Sequence, residues 1–98
     1  MGLERDFRKN VVLPFLKTLK HTEFFPIQQL SIRGDFDYIL CVRGLFVGLE
    51  LKREEESLRP LQMYKADQVR AKGGIAFRAG PDNWEQVKSM LLKLDEGP

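Results

Sequence analysis

The chain reads as an α/β domain with a mixed four-stranded sheet flanked by helices, and three observations carry that reading. Two apolar runs between Asp37 and Lys52 are joined by Arg43-Gly44, as in an antiparallel hairpin. Apolar residues recur at helical spacing near both ends of the chain. A further helical segment separates the hairpin from a last strand-like run, which permits a parallel crossover. The 98 residues give room for one domain, residues 1–98, with one core.

The elements follow in order. Leu3, Phe7, Val11, Val12, Phe15, Leu16 and Leu19 recur at helical spacing with charged residues between them, which predicts an amphipathic helix. Pro14 removes the bond to the Asn10 carbonyl, so a kink or break is expected near Asn10. HTEFFP then reads as a connection, and Ile27 to Ile32 as a short strand before the Gly34 turn. The hairpin supplies two more strands. Arg53-Glu54-Glu55-Glu56 is too charged for a buried strand and reads as a solvated loop. Ser57 is placed to cap a helix beginning near Leu58 to Pro60, which Gly73-Gly74 stops. Ile75 to Ala79 reads as the fourth strand, closed by Gly80-Pro81. Asp82 and Glu85 stand at capping-box spacing ahead of Trp84, Val87, Met90, Leu91 and Leu94, one face of a final helix. Trp84 is expected to anchor the core.

Composition excludes several classes of function. With 43% hydrophobic and 31% charged residues, the chain has the makeup of a compact protein with a charged surface. The single cysteine, Cys41, cannot form an intramolecular disulfide or a cysteine-based zinc site, and its apolar run predicts a buried thiol. No apolar run approaches the roughly 20 residues of a membrane helix, and the charged start GLERDFRK is unlike a secretory signal. A cytoplasmic protein is therefore expected. The net charge of +2 does not announce nucleic-acid binding, so any basic surface must be local. There is no G-x-x-x-x-G-K phosphate loop and no Ser-His-Asp constellation. His21, the only histidine, lies in a charged linker.

The hairpin places chemistry at one end. If Arg43 and Gly44 form a two-residue loop, Val42 pairs with Leu45 and Asp37 falls opposite Glu50, while Lys52 shares a face with Glu50. A three-residue loop with a glycine bulge would slip that register by one. Like charges directly opposite on a sheet are destabilising, so the pair wants a compensating cation or wide exposure to water. Two readings are open at this point. Lys52 neutralises the acids as a surface ion cluster, or Asp37 and Glu50 hold a hard divalent cation that hydrolyses a phosphodiester with help from Lys52.

Several segments together resemble the PD-(D/E)XK nuclease superfamily, nearest to small stand-alone VRR-NUC and Holliday-junction-resolvase-like members found in phages and bacteria. Gly34-Asp35-Phe36-Asp37 falls on their G-x-P-D and Glu50-Leu51-Lys52 on their E-x-K. Leu58-Arg59-Pro60-Leu61-Gln62 looks like the segment that presents a glutamine to the site, and Gly73-Gly74-Ile75-Ala76-Phe77 like their following glycine and strand. Phe36 stands where the family usually has proline, and Asp35 is an added acid that reads as an exposed turn residue.

The resemblance implies a restriction-endonuclease-like αβββαβ core, extended here by a C-terminal helix. It implies Mg²⁺ or Mn²⁺ held by Asp37, Glu50 and the Leu51 backbone carbonyl, with Lys52 as the catalytic lysine and Gln62 supporting the site or contacting phosphate. A glutamate from the first helix often joins, for which Glu4 is the candidate and Glu23 the alternative. The implied activity is that of a DNA endonuclease, structure-selective on branched, four-way-junction DNA as a homodimer, or else acting on flaps, nicks or duplex ends. A non-catalytic nucleic-acid-binding module is the rival of another class. Phe24 and Phe25 are candidate interface residues. Arg53, Arg59, Lys65, Arg70 and Lys72 are candidates for a phosphate-tracking surface.

Overall fold

The computed structural model describes residues 2–27, 36–52 and 60–98, with side chains from residue 5 onward. The chain begins with α1 (Gly2–Phe7), a π-helical stretch (Arg8–Val12) and α2 (Leu13–Leu16), followed by β1 (Thr22–Pro26). The hairpin strands β2 (Tyr38–Val42) and β3 (Leu45–Leu51) come next, then α3 (Pro60–Ala71), β4 (Ile75–Ala79) and α4 (Trp84–Glu96). Among the described residues the sheet has the order β1-β2-β3-β4. The first two pairings are antiparallel and β3 pairs with β4 in parallel. This is the mixed α/β sheet expected from the pattern of runs.

The hairpin turn sets the register. Arg43 and Gly44 both have positive φ, 51° and 88°, the requirement of the two-residue turn whose twist matches its strands. Val42 therefore pairs with Leu45 and Tyr38 with Leu49.

The break expected near Asn10 takes the form of the π-helical stretch. Pro14 has no N–H to offer, and the Leu13 N–H instead donates to the Arg8 carbonyl five residues back, a π-type bond. This local widening corrects the expected core face. Val11 is exposed, while Phe7, Val12, Leu16 and Leu19 are buried.

β1 is a second correction. Thr22–Pro26, read as a connection, is a strand paired along its length with β2. Pro26 is tolerated because β1 stands at the edge of the sheet. Of the expected Ile27–Ile32 strand, residues 28–32 lie outside the described residues, as do Asp35, Arg53, the glutamate run, Ser57 and Arg59.

The main core fills one face of the sheet. Tyr38, Leu40, Val42, Val47, Leu49, Leu51 and Ala79 meet the N-terminal helical stretch and α4. Trp84 anchors that layer as expected, with edge-on contacts to Phe7 and Phe15 at centroid distances of 5.5 Å each. Met90, assigned to the buried face of α4, is exposed. The capping box also fails to form. Asn83 occupies the N-cap without a side-chain cap bond, because Asp82 is taken by Arg78 and the Asn83 amide faces back into the loop.

α4 is tied down at its other end by Asp95. Its carboxylate accepts bonds from the Lys20 and His21 amides at 3.1 and 2.8 Å and from the Thr22 hydroxyl at 2.7 Å. Burial alone would raise the Asp95 pKa. The Thr22 hydroxyl and the two amides outweigh burial and hold it below the ordinary carboxylate value.

The opposite face carries α3 over a smaller cluster of Phe36, Ala66 and Ala76 with Ile39 and Val69. Gly48 lies directly beneath the Phe36 ring, where a Cβ would clash. Cys41 points to this face beyond the cover of α3 and is exposed, not buried as its apolar run suggested. Among the described residues no helix is long and apolar enough to cross a membrane.

Candidate active site

The hairpin carries Asp37 and Glu50 to the same end of the sheet. Tyr38 and Leu49 form the last rung, and the Asp37 amide donates to the Leu49 carbonyl at 2.9 Å. Asp37 and Glu50 follow one step beyond, near enough for their carboxyl groups to hydrogen-bond to each other.

Two ionised carboxylates cannot share that position cheaply. Glu50 is only 6% exposed. Burial, reinforced by the hydrogen bond and the charge of Asp37, pushes its pKa up to about 8 against the opposing pull of Lys52 and Gln62. At neutral pH Glu50 therefore keeps its proton and shares it with Asp37.

Asp37 is held from two other directions. Arg8 Nη2 donates to its Oδ1 at 2.7 Å, and the Leu51 backbone N–H donates to its Oδ2 at 2.7 Å. The Arg8 guanidinium carbon also lies 5.9 Å from the centre of the Tyr38 ring, close enough for a cation–π contact. In an extended strand the carbonyl leaves on the same side as the N–H of its residue. The Leu51 carbonyl is thereby directed toward the end of β2, on the side of Asp37.

Lys52 follows β3, and its backbone is fixed on every side. Its N–H donates to the Ala79 carbonyl at 3.0 Å and its carbonyl accepts from Arg78 Nη1 at 2.8 Å. Arg78 is itself gripped by both Asp82 oxygens at 2.9 and 2.7 Å. That guanidinium pulls the Asp82 pKa below the usual carboxylate value. Gly80 lies so close to the Lys52 carbonyl that a side chain at position 80 would collide with it.

The structure thus brings Asp37, Glu50, Lys52 and Gln62 together from β2, β3 and α3. Gln62, in the first turn of α3, bonds the Glu50 carboxyl. It does not bring Glu23 there. Glu23 is opposite Cys41, three rungs along β1 from the Pro26–Tyr38 pair, or ~10 Å at the rise of a strand. The Glu4 backbone belongs to α1, while its side chain lies outside the described residues. His21 is exposed and serves through its amide.

Sequence reasoning missed Arg8 and Arg78. Arg8 is 29 residues from Asp37, and no local pattern links them. Arg78 was legible in principle, since it stands opposite Glu50 once the parallel β3–β4 register is known.

The donor set suits a hard cation. Among the described residues no group of three or more His, Cys, Asp or Glu side chains converges. What the site offers is two carboxylates and a carbonyl, all oxygen. Mg²⁺ needs only one or two carboxylates, because it keeps most of its water and takes oxygens from a phosphate. The shared proton marks where a positive charge relieves the pair. Comparison with protein-family models, curated proteins and solved structures gives no match.

Proposed function

We propose that this domain is a metal-dependent deoxyribonuclease of the PD-(D/E)XK type, cutting phosphodiester bonds of branched DNA as a homodimer. The observation that carries this reading is the carboxyl pair of buried Glu50 and half-buried Asp37, with Lys52 beside it on one sheet face and Gln62 closing over it. Supporting it is the order of elements. A helical stretch, an antiparallel three-stranded meander, a helix and a parallel fourth strand follow one another in the order that a restriction-endonuclease-like core would have.

Asp37, Glu50 and the Leu51 carbonyl are the groups that would hold Mg²⁺ or Mn²⁺, which when bound supplies Lewis acidity toward a phosphate and toward water. The chain provides the rest. Gln62 orients the Glu50 carboxyl. Lys52, its backbone locked by Arg78 and Gly80, offsets negative charge building on the phosphate oxygens as water attacks. The burial that raises the Glu50 pKa also makes cation and proton competitors, so binding strengthens as pH rises toward and past about 8. Branched DNA and a dimer suit a minimal core, since a two-fold enzyme presents two sites to a two-fold junction.

One observation favours a second reading. Arg8 already gives Asp37 a cation at 2.7 Å, so the domain would hold nucleic acid without cutting it.

Cleavage of four-way, flap, nicked and linear DNA, each with Mg²⁺, Mn²⁺ or EDTA, separates the two. Metal-dependent cutting lost in Asp37→Asn and Lys52→Ala is the expected result. Equal cutting by those variants would refute the site, and binding without cutting on all substrates would leave the second reading. Solution mass tests the dimer.

A further inference from the structure

α3 has an exposed flank that the site does not use. Leu61, Lys65, Gln68 and Lys72 recur at intervals of four, three and four residues, one line along a helix, about 16 Å long at 1.5 Å per residue. This line starts beside Gln62, at the carboxyl pair. It ends at a cleft of about 290 Å³ between α3 and the start of β3 and β4, lined by Phe46, Lys65, Gln68, Val69, Lys72 and Gly74.

Phe46 forms the aromatic wall of that cleft. Because side chains alternate along a strand, Phe46 lies on the same sheet face as Glu50 and Lys52. It is ~13 Å from Glu50 at the rise of a strand. Phe46 is 40% exposed, and its ring is braced at its edge by Phe36 at 6.4 Å. Among the described residues no carboxylate lies within ion-pair distance of Lys65 or Lys72. Arg70 is different, since it is committed to Asp67 and to the Ala76 carbonyl and turns away from this flank.

An aromatic wall with two lysines and a glutamine, continuous with a phosphodiester site, is complementary to bases and phosphates together. The cleft volume is at the small end of ligand pockets. It has room for one base against Phe46, whereas the bases of a duplex are stacked on one another and closed to an aromatic side chain. Resting on the nuclease reading above, we infer that the α3 flank is a track for a single-stranded nucleic-acid arm, with Lys65 and Lys72 on its phosphates and one base stacked on Phe46. Among branched substrates this selects a flap-like nucleic acid, with an unpaired arm beside the cut, over the fully paired four-way junction.

The test reads binding in EDTA, so that cleavage plays no part, by anisotropy of a short labelled oligothymidylate across a salt series. The double variant Lys65→Ala/Lys72→Ala is expected to bind at least tenfold more weakly and to lower the log–log salt slope by about 1.4, the value for two single-strand phosphates. Phe46→Leu keeps an apolar side chain at a surface position. It is expected to weaken binding about tenfold, one lost stacking contact, with the salt slope unchanged. Parental affinity in both variants overturns the inference, as does a blunt duplex or a polyglutamate peptide that competes as well as the single strand. Glu50→Gln keeps the two ideas apart. If the variant binds and cuts like the parent, the nuclease site fails while the track stands. If it binds and does not cut while the lysine and Phe46 variants behave as parent, the track fails alone.

Discussion

The two faces of the sheet are built on opposite principles. One is a dry layer in which Trp84, Leu91, Val12 and Leu16 close over Leu40, Val47 and Leu49, all nearly inaccessible. The other has a three-residue buried cluster under α3 and, past it, a buried glutamate, a lysine and a half-open cleft. Stability is concentrated where the packing is apolar. The interacting titratable groups are concentrated where a thin helical cover leaves polar groups to satisfy one another. Such segregation lets a 98-residue chain keep a strained carboxyl pair without undermining its core.

Substitutions on each face are expected to give separable results. On the α3 face, the proposed nuclease reading predicts that Lys52→Ala reduces cleavage by about 10²–10³-fold, the range for losing one charge-stabilising group, while the unfolding midpoint stays near that of the parent. A comparable loss of stability would place Lys52 in the fold rather than in the chemistry. On the core face, Leu91→Ala should cost about 2–5 kcal/mol in urea unfolding and leave the pH dependence of stability unchanged.

That pH dependence belongs to Glu50. Its pKa is about 8 in the folded protein against 4.5 ordinarily, so between those values the native state holds a proton that the unfolded chain releases. Stability from this group is complete below about pH 4.5 and is lost as pH rises through about 8. At about 1.4 kcal/mol per pKa unit the loss is several kcal/mol in the metal-free protein. Glu50→Gln should flatten the profile and raise the midpoint above pH 8. A profile already flat in the parent would mean that the pair does not share a proton.

Two smaller effects sharpen the contrast further. Asp95→Asn weakens three hydrogen bonds that pin α4 to the start of β1, and should lower the thermal midpoint by less than Leu91→Ala does. Cys41→Ser should change stability by no more than about 0.5 kcal/mol, as at other surface positions. In the folded parent, Cys41 should react with a thiol reagent at the rate of an exposed cysteine.

The legible parts of this molecule were local. Arg43-Gly44 fixed a turn, the turn fixed a register, and the register put Asp37 and Glu50 together. Gly73 and the apolar spacing of α4 likewise spoke through neighbours in sequence. What escaped was long-range or two-sided. Arg8 reaches Asp37, and Asp95 reaches Thr22, across separations that no periodicity encodes. β2 is apolar on both faces, so alternation could not show that Cys41 passes beyond the cover of α3. The capping-box spacing of Asp82 and Glu85 was real, but a guanidinium on β4 competed for Asp82 and won.

The π-helical stretch amounts to a correction of phase. In an unbroken α-helix, Phe7 and Val12 would be separated by five steps of about 100° each, leaving them some 140° apart, and one of them would face water. Widening one turn absorbs a single extra residue and returns Phe7 to the line of Val12 and Leu16. The segment behaves as an ordinary helix carrying a one-residue insertion, and the same turn presents Arg8 toward Asp37. A chain lacking Lys9 would pack Phe7 four residues from Val12 without any widening, and it would have to find another way to bring a guanidinium to the carboxyl pair.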